Sequence, residues 1–258
     1  MRKRGIVLKN YKITIQYDGS RYKGWQVQKS TDMTIQGKLQ SVLSQMVGYE
    51  VEVIGSGRTD AGVHALGQVA NFHIPDQFSA QEVIEYLNQY LPMDIAVIDI
   101  EEVDERFHAS FSAVEKTYVY RIHTSTIQNV FERKYMYDYT EKLNVEAMRE
   151  AANEMIGTHD FMAFCGNKKM KKSTVRTVSN IEIEEKDGEI QISYTGDGFL
   201  QQMIRIMTGT LIEVGNGSKA VSEIKSIIES KDRANAGYTV PAEGLILKSV
   251  KYCIKLKF

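Results

Sequence analysis

The segment from Gly55 to Ala65 reads GSGRTDAGVHA and lies between two apolar runs, at 51–54 and 67–74. Glycine accepts positive φ and lets other groups approach the backbone closely, so a glycine-dense loop between two predicted strands can hold a side chain at an unusual angle. Arg58 and Asp60 are two residues apart and can act on one ligand. A long hairpin loop with a solvated Arg–Asp pair is the structural alternative. The length of the stretch and its companions elsewhere in the chain favour a functional loop.

The composition is that of a globular protein. Its 258 residues suffice for one large or two ordinary domains, and 43% of them are hydrophobic while 25% are charged. No apolar run approaches the roughly 18 residues of a membrane helix. Lys9, Asn10 and Lys12 interrupt the run that a signal peptide needs after its basic start. We therefore expect no membrane segment and a cytoplasmic location.

Cysteine and histidine spacing gives no indication of a metal site. Cys165 and Cys253 lie far apart without a CxxC pattern, and we expect both to be reduced core thiols. The five histidines show no spacing typical of metal ligands. The sequence therefore predicts neither a metal nor a disulfide.

Charge is segregated along the chain although the net charge is only −1. Positions 1–25 hold seven basic residues and one acidic residue. A second basic cluster consists of Arg176 and the lysine loop, which comprises Lys168, Lys169, Lys171 and Lys172. Segregated charge can give a neutral protein one positive face. Solvated lysines on ordinary loops explain the pattern equally well.

Periodicity predicts an α+β fold. The first half has predicted strands at 11–17, 51–54, 67–74 and 95–103, with a helix from Thr34 to Val47 that Gly48 can end and another after the capping box at Ser79. This β-α-β-β-α-β order is that of the ferredoxin-like unit. The second half repeats it with predicted strands at 116–123, 178–184, 189–194 and 245–254, of which the middle two form a hairpin around the turn at 186–188. Its predicted helices run from Asn144 to Ile156, from Phe199 to Val214, and onward from Ser218. We predict two tandem ferredoxin-like domains, 1–104 and 105–258, whose antiparallel sheets join with a catalytic cleft between them.

Asp60 is the first candidate for chemistry. A carboxylate is ionised at neutral pH and can act as base, nucleophile or metal ligand. Its neighbour is an arginine rather than further carboxylates, which favours chemistry without a metal. A charged carboxylate in a closed site also needs a cation. Arg205 is the candidate, because Gln201, Gln202, Arg205, Thr208 and Gly209 would form a polar stripe on an otherwise apolar helix. An arginine that extends to solvent is the alternative.

Aromatic residues offer stacking surfaces. Tyr118 and Tyr120 alternate to one face of a predicted strand, where a tyrosine can stack on an unpaired base or simply pack. Trp25 has the same two interpretations. We expect His64 to be a hydrogen-bonding loop residue, and residues 159–161 to end a helix.

Together these motifs resemble the TruA-type tRNA pseudouridine synthases over nearly the whole chain. The matching stretches are, in order, Tyr17-Asp18-Gly19, Gly24-Trp25-Gln26-Val27-Gln28, Gly57-Arg58-Thr59-Asp60-Ala61-Gly62-Val63-His64-Ala65, Phe107-His108, Lys116-Thr117-Tyr118-Val119-Tyr120, Thr158-His159-Asp160-Phe161, Val175-Arg176-Thr177, Gly198-Phe199-Leu200 with Met203-Ile204-Arg205, and Pro241 with Gly244-Leu245. The resemblance implies a homodimer that isomerises uridine to pseudouridine at positions 38, 39 and 40 of the tRNA anticodon stem-loop, without metal or organic cofactor.

The resemblance also implies residue roles. Asp60 is the catalytic nucleophile, Arg58 displaces the target base, Tyr118 stacks on the uracil and Arg205 pairs with Asp60. For an RNA substrate, we predict that the lysine loop and the basic residues of positions 1–25 contact phosphates. Whether Asp60 attacks the sugar or the base, or instead removes a ribose proton, stays open. One position departs from the family pattern, because Ser110 stands where an arginine is usual. A non-catalytic RNA-binding relative is therefore the alternative function.

Overall fold

The computed structural model describes residues 7–253. They fall into two compact units: one runs up to Val114 and resumes at Leu247, and the other runs from Glu115 to Ile246. The strands are β1 (Leu8–Tyr17), β2 (Ile54–Gly55), β3 (His64–Pro75), β4 (Ile95–Val103), β5 (Ala113–His123), β6 (Tyr137–Asp138), β7 (Gly157–Asp160), β8 (Val175–Lys186), β9 (Glu189–Gly196) and β10 (Leu245–Tyr252). The α-helices are α1 (Ile35–Val47), α2 (Ala80–Tyr90), α3 (Val145–Asn153), α4 (Met203–Gly215) and α5 (Glu223–Ser230).

The first unit is an antiparallel sheet with two helices, which confirms the predicted α+β class. Strand β1 pairs with both β4 and β3, and β2 pairs with the far side of β3. This is the β-α-β-β-α-β order predicted from periodicity. The alternating residues Tyr11, Ile13 and Ile15 are all buried. Alternation thus predicted the core face of β1 because successive side chains of a strand point to opposite faces.

The ends of the two helices in this unit follow from local chemistry. The Thr34 side chain accepts from the backbone N–H of Gly37, and Gly48 ends α1 in the left-handed conformation at φ 84°. Ser79 and Glu82 form the predicted capping box at the start of α2. The predicted strand at 51–54 is wrong in extent, because only Ile54 and Gly55 pair with β3.

The second unit contains an antiparallel sheet in the order β5-β9-β8-β7, with β6 parallel to β5. The predicted hairpin of β8 and β9 is confirmed. Its turn residues Asp187 and Gly188 have φ of 51° and 77°, as the tight hairpin turn with two positive φ angles requires. The predicted domain limits at Asp104, and the joining of two sheets with a cleft, stay predictions.

Several predicted boundaries in the second half are wrong. Helix α4 begins at Met203 instead of Phe199, because Gln202 has φ 59° and ψ 7° and cannot lie inside a right-handed helix. Helix α3 ends at Asn153 rather than Ile156, and α5 begins at Glu223 rather than Ser218. The predicted end of the last strand, Ile254, lies outside the described residues.

Residues 157–160 form an edge strand, although we expected residues 159–161 to end a helix. Gly157 has φ 124°, which separates this segment from α3, and the segment then pairs with Val175 to Val178 of β8. Pairing with a distant strand therefore overrode the local pattern. None of the helices within residues 7–253 is long and apolar enough to cross a membrane.

Candidate active site

The Asp60 loop, residues 55–63, connects β2 to β3 and presents Asp60 half-buried. Backbone hydrogen bonds hold it on both sides of the aspartate: Trp25 N donates to Thr59 O at 3.1 Å, and Gly62 N donates to Tyr22 O at 3.3 Å. Both partners belong to the clamp segment, residues 19–25. The carboxylate is thus carried by a backbone that is held on either side.

The buried Tyr17 contacts the Asp60 loop at Thr59. Its hydroxyl and Thr59 Oγ1 are 2.8 Å apart. Burial raises the pKa of Tyr17 to about 12, so the hydroxyl keeps its proton at neutral pH. Tyr17 therefore positions the residue before Asp60 and supplies no charge to the site.

Two glycines explain why the clamp segment fits so closely. Gly24 has φ 96°, and a Cβ at this position would lie 2.7 Å from Thr59 O and 3.2 Å from the carbonyl carbon of Asp60. A Cβ on Gly55 would lie 2.5 to 2.6 Å from the Trp25 ring. Trp25 is only 2% exposed, so it is a core residue and the stacking interpretation is wrong.

The base of the Asp60 loop is fastened to β3. The backbone N–H of Ser56 donates to Val69 O at 2.7 Å, and its hydroxyl donates to Gln68 Oε1 at 2.7 Å. Gln68 Nε2 in turn donates to Gly57 O at 3.2 Å. The backbone N–H of Gly19 donates to Nδ1 of the buried His64 at 3.1 Å, which confirms His64 as a hydrogen-bonding residue. The expectation that it lies in a loop is wrong, because His64 is the first residue of β3.

Arg58 is exposed and oriented by a chain of two glutamines that sequence reasoning did not identify as functional. Its Nε donates to Gln26 Oε1 at 2.9 Å, and Gln26 Nε2 donates to Gln36 Oε1 at 2.7 Å. The amide of Gln36 is fixed by a bond from Nε2 to Val53 O at 2.8 Å. The only signal in the sequence for this chain of glutamines was Gln26 itself, which directly follows Trp25.

Tyr118 and Tyr120 of β5 belong to the second unit and differ in role. Tyr118 is 8% exposed and meets Phe199 edge to face, with ring centroids 5.4 Å apart. Tyr120 is fully buried, and its hydroxyl donates to Pro241 O at 2.8 Å. Burial raises the pKa of Tyr120. Tyr120 is therefore a core residue, and the stacking interpretation is wrong for it.

Arg205 lies half-buried on α4 of the second unit, and its Nε donates to Val240 O at 2.8 Å. The predicted polar stripe around it is wrong. Gln201 and Gln202 precede the helix, and Thr208 is buried with its hydroxyl 2.8 Å from that of Tyr194. Gly209 is buried, and a Cβ there would collide with Tyr238 O.

The lysine loop, also in the second unit, is exposed throughout. Its base is closed by Asp160, which accepts from the Thr174 hydroxyl and pairs with Lys231 Nζ at 2.9 Å. The hydrogen bond from Lys231, followed by that from Thr174, lowers the pKa of Asp160. The loop therefore starts and ends at fixed points while its lysines face solvent.

The basic residues of positions 1–25 are less available for RNA phosphates than the sequence suggested, because several pair with acidic side chains. Lys9 pairs with Glu102 at 2.8 Å, Lys12 pairs with Glu101, and Arg21 pairs with Asp94 at 2.6 Å. Arg2, Lys3 and Arg4 lie outside the described residues. Three of the positive charges thus have acidic partners on the same unit.

Cys165 and Cys253 form no disulfide with each other. Cys165 is buried as predicted, whereas Cys253 is exposed, so the prediction of a core thiol is wrong for Cys253. Across residues 7–253, no group of three or more histidine, cysteine or acidic side chains is placed to hold a metal ion.

Comparison with known proteins places this geometry in a family. The family model described as tRNA pseudouridine synthase matches residues 13–112 and 151–253. The chain belongs to the tRNA pseudouridine synthase family. This confirms the resemblance noted from the motifs. Arg58, Asp60 and Arg205 lie within the matched residues, while Tyr118 lies between the two matched stretches.

Individual relatives match over nearly their whole length. The tRNA pseudouridine synthase A 2 of Bacillus anthracis is 49% identical over 245 residues, which cover 95% of this chain and 100% of the relative. The tRNA pseudouridine synthase A 1 of Clostridium tetani is 46% identical over the same coverage. A solved H/ACA ribonucleoprotein bound to a substrate RNA containing 2′-deoxyuridine shows a weak likeness, with 10% identity, a TM-score of 0.38, and coverage of 78% of this chain and 44% of that one.

The four residues with predicted catalytic or stacking roles come from both units of this family member. Arg58 and Asp60 share one loop of the first unit, whereas Tyr118 and Arg205 belong to the second. The pairing of Asp60 with Arg205 would connect the two units and stays a prediction. The same holds for the role of Tyr118 and for the lysine loop.

Proposed function

We propose that this protein isomerises uridine to pseudouridine at positions 38, 39 and 40 of the tRNA anticodon stem-loop, as a cytoplasmic homodimer. The observation that carries the proposal is the Asp60 loop in a chain of the tRNA pseudouridine synthase family. A half-buried carboxylate follows an exposed, oriented arginine, and the clamp segment fixes the backbone on both sides. Such pre-organisation is what a catalytic carboxylate needs.

The substrate must first leave the base stack. The bond between C1′ and N1 of the uridine has to break, the uracil has to turn, and C5 has to bond to C1′. Flipping the nucleotide out costs a few kcal/mol and is cheapest in loops and at stem ends. Arg58 fills the vacated space, because its guanidinium is exposed and its Nε is held by Gln26.

Asp60 then begins the exchange of bonds. In one route its carboxylate bonds to C1′ and the electron pair of the C1′–N1 bond leaves with the uracil. In the other route it removes a ribose proton and the same bond breaks by elimination. Arg205 neutralises the carboxylate charge, and Tyr118, held edge-on by Phe199, stacks on the free uracil while it turns. C5 then bonds to C1′: in the first route the bond between Asp60 and C1′ breaks and frees the carboxylate, and in the second the ribose carbon takes its proton back. Finally C5 gives its proton to a base, and N1 of the uracil takes up a proton.

A non-catalytic RNA-binding protein is the alternative function, and Ser110 is its only support. Ser110 is exposed on the segment between β4 and β5 and is not part of the Asp60 loop. Losing an arginine there removes a cation that can contact the RNA backbone. It leaves Arg58, Asp60, Tyr118 and Arg205 in place, so catalysis is the better-supported function.

Release of tritium from tRNA carrying 5-tritiated uridine tests the proposal, because C5 loses its hydrogen only when it becomes the glycosidic carbon. We expect release by wild type, none by Asp60→Ala, and wild-type release by the control Asp76→Ala, whose aspartate is exposed at the end of β3. Binding of tRNA should survive in Asp60→Ala. Substrates with a single uridine at position 38, 39 or 40 test the sites. Turnover by Asp60→Ala would refute the assignment, and tight binding without release by wild type would favour the alternative.

A further inference from the structure

An exposed aromatic pair lies in the first unit, outside the residues assigned above. The His-Phe loop, residues 107–112, carries Phe111 with 85% of its surface exposed. The Phe111 ring is stacked on the His108 ring, with centroids 4.1 Å apart and planes 26° apart. A phenylalanine this exposed gives up the stabilisation that burial would provide. Exposure alone does not single out Phe111, since Phe131 is more exposed; its stacked arrangement on His108 does.

The stacked pair is built into the backbone of the loop. His108 Nδ1 accepts from the backbone N–H groups of Ser110 and Phe111, both at 3.2 Å. His108 N donates to the Ser112 hydroxyl at 3.2 Å, and Ser112 N donates to His108 O at 2.9 Å. These bonds fix the imidazole and the chain that bears Phe111. The outer face of the Phe111 ring is thus presented in one orientation.

Buried polar side chains anchor the same loop to the sheet. Ala109 is fully buried and its N–H donates to Asn71 Oδ1 at 2.9 Å. Asn10 Nδ2 donates to Phe107 O at 2.9 Å, and Asn71 Nδ2 donates to Asn10 Oδ1 at 2.9 Å. Neither asparagine could be replaced by an apolar residue without leaving backbone groups of the loop unsatisfied. The His-Phe loop is therefore a fixed part of the first unit.

The side chain of Tyr252 lies beside both the His-Phe loop and the Asp60 loop. Its hydroxyl donates to Ala109 O at 2.8 Å. Burial raises the pKa of Tyr252, and the nearby Ser56 side chain opposes that rise. Ser56 lies four residues before Asp60 and is fastened to β3. Tyr252 thus lies next to both the loop that bears the aromatic pair and the base of the loop that bears the candidate nucleophile.

We propose that Phe111, backed by His108, is a stacking platform for an unpaired base of the tRNA and positions the substrate relative to Asp60. This inference rests on the proposed function. Aromatic rings stack on any base because every base has a π face, and single-stranded loops are where proteins find unstacked bases. Arg106, exposed and directly before the loop, supplies a cation for the adjoining phosphate.

Three substitutions at Phe111 test the platform, with Phe131→Ala as the matched control. Phe131 is 93% exposed and belongs to the second unit. We expect Phe111→Ala and Phe111→Leu to raise Kd and KM for tRNA by about 5- to 150-fold, the contribution of stacking one base, with little change in kcat. Phe111→Trp should retain wild-type affinity, and Phe131→Ala should change nothing. Because both rings are exposed, thermal unfolding should be unaltered in all four variants.

Stem-loop RNAs with single abasic sites show whether a base is the ligand. At one position, an abasic site should weaken binding by the wild-type protein as much as Phe111→Ala weakens binding of the intact RNA. Phe111→Ala itself should bind that abasic RNA and the intact RNA with the same affinity. Equal affinities of Phe111→Ala and Phe131→Ala, in enzymes that release tritium, would overturn the platform and leave the proposed function intact. Wild-type affinity of Phe111→Leu would mean an apolar contact and would also overturn it. Absence of tritium release by wild type overturns the proposed function instead.

Discussion

Replacing Gly24 by alanine should damage catalysis through a single added carbon. Gly24 has φ 96°, and its new Cβ would lie 2.7 Å from Thr59 O, where ordinary contact begins at 3.4 Å. The Thr59 carbonyl must therefore move by about 0.7 Å, and Asp60 is the next residue in the chain. A displacement of about 1 Å in a catalytic group can cost 100-fold in rate. We expect kcat of Gly24→Ala to fall by about 10- to 100-fold.

Gly48→Ala is the matched control for backbone strain. Gly48 also has positive φ, at 84°, but a Cβ there would meet nothing within 4 Å. A non-glycine residue in the left-handed region costs about 1–2 kcal/mol, so both variants should lower the free energy of unfolding by that amount. For a chain of this length, each 1 kcal/mol corresponds to roughly 2–4 °C in Tm. Gly24→Ala should lose somewhat more, because its contact adds overpacking.

Tritium release at saturating tRNA, together with thermal unfolding, separates the two effects. Gly48→Ala should lose stability and keep wild-type kcat, whereas Gly24→Ala should lose both. A Gly24→Ala enzyme with wild-type kcat would refute the conclusion that the clamp segment positions Asp60. Equal loss of kcat in Gly24→Ala and Gly48→Ala would mean that general destabilisation, and not displacement of Asp60, lowers kcat.

Three further predictions concern the surface. Changing all four residues of the lysine loop to glutamine should flatten the dependence of log Kd for tRNA on log salt, by roughly 0.7–0.9 for each lysine that contacts a phosphate; an unchanged slope in filter binding would remove the loop from the interface. Ser110→Arg should tighten tRNA binding and steepen that slope by about 1, and a slope equal to wild type would argue against a phosphate contact there. Asp160→Asn tests how the free energy of unfolding depends on pH in the acid range. The pKa of Asp160 is lowered by Lys231 and Thr174, so its carboxylate stabilises the folded state above the unfolded pKa near 3.9, and this contribution is lost as pH falls through the folded value. Urea unfolding should show wild type more stable than Asp160→Asn by up to about 1 kcal/mol at pH 7, because solvent screens the pair. This difference should shrink as pH falls below the unfolded pKa near 3.9, and a difference that stays constant in that range would contradict the linkage.

Local chemistry was sufficient wherever an element begins or ends through its own residues. Thr34 and Gly48 bound α1, Ser79 and Glu82 cap α2, and the turn at 187–188 closes a hairpin, all as predicted. These signals act over two to four residues, so they can be seen in the sequence. The GRTDAGVHA stretch likewise identified the loop that bears Asp60 before any geometry was known.

Residues with distant partners were predicted less well. Trp25 and Tyr120 had both a core and a stacking interpretation, and only their burial decided between them. The hydroxyl of Tyr120 bonds to Pro241, 121 residues away. The stripe around Arg205 looked polar by spacing, yet Thr208 and Gly209 face the core against Tyr194 and Tyr238. Periodicity predicts which residues share a face, but it does not say what that face contacts.

The sequence by itself thus determined the α+β class, the family and the loop that carries the candidate nucleophile. Tertiary structure decided why that loop has one conformation: Gly24 and Gly55 leave room for Thr59 and Trp25, and Gln26 orients Arg58 across 32 positions of the chain. Only folding brings these groups within hydrogen-bond or van der Waals range. A glycine's missing side chain has meaning only when the atom that would occupy its space is known.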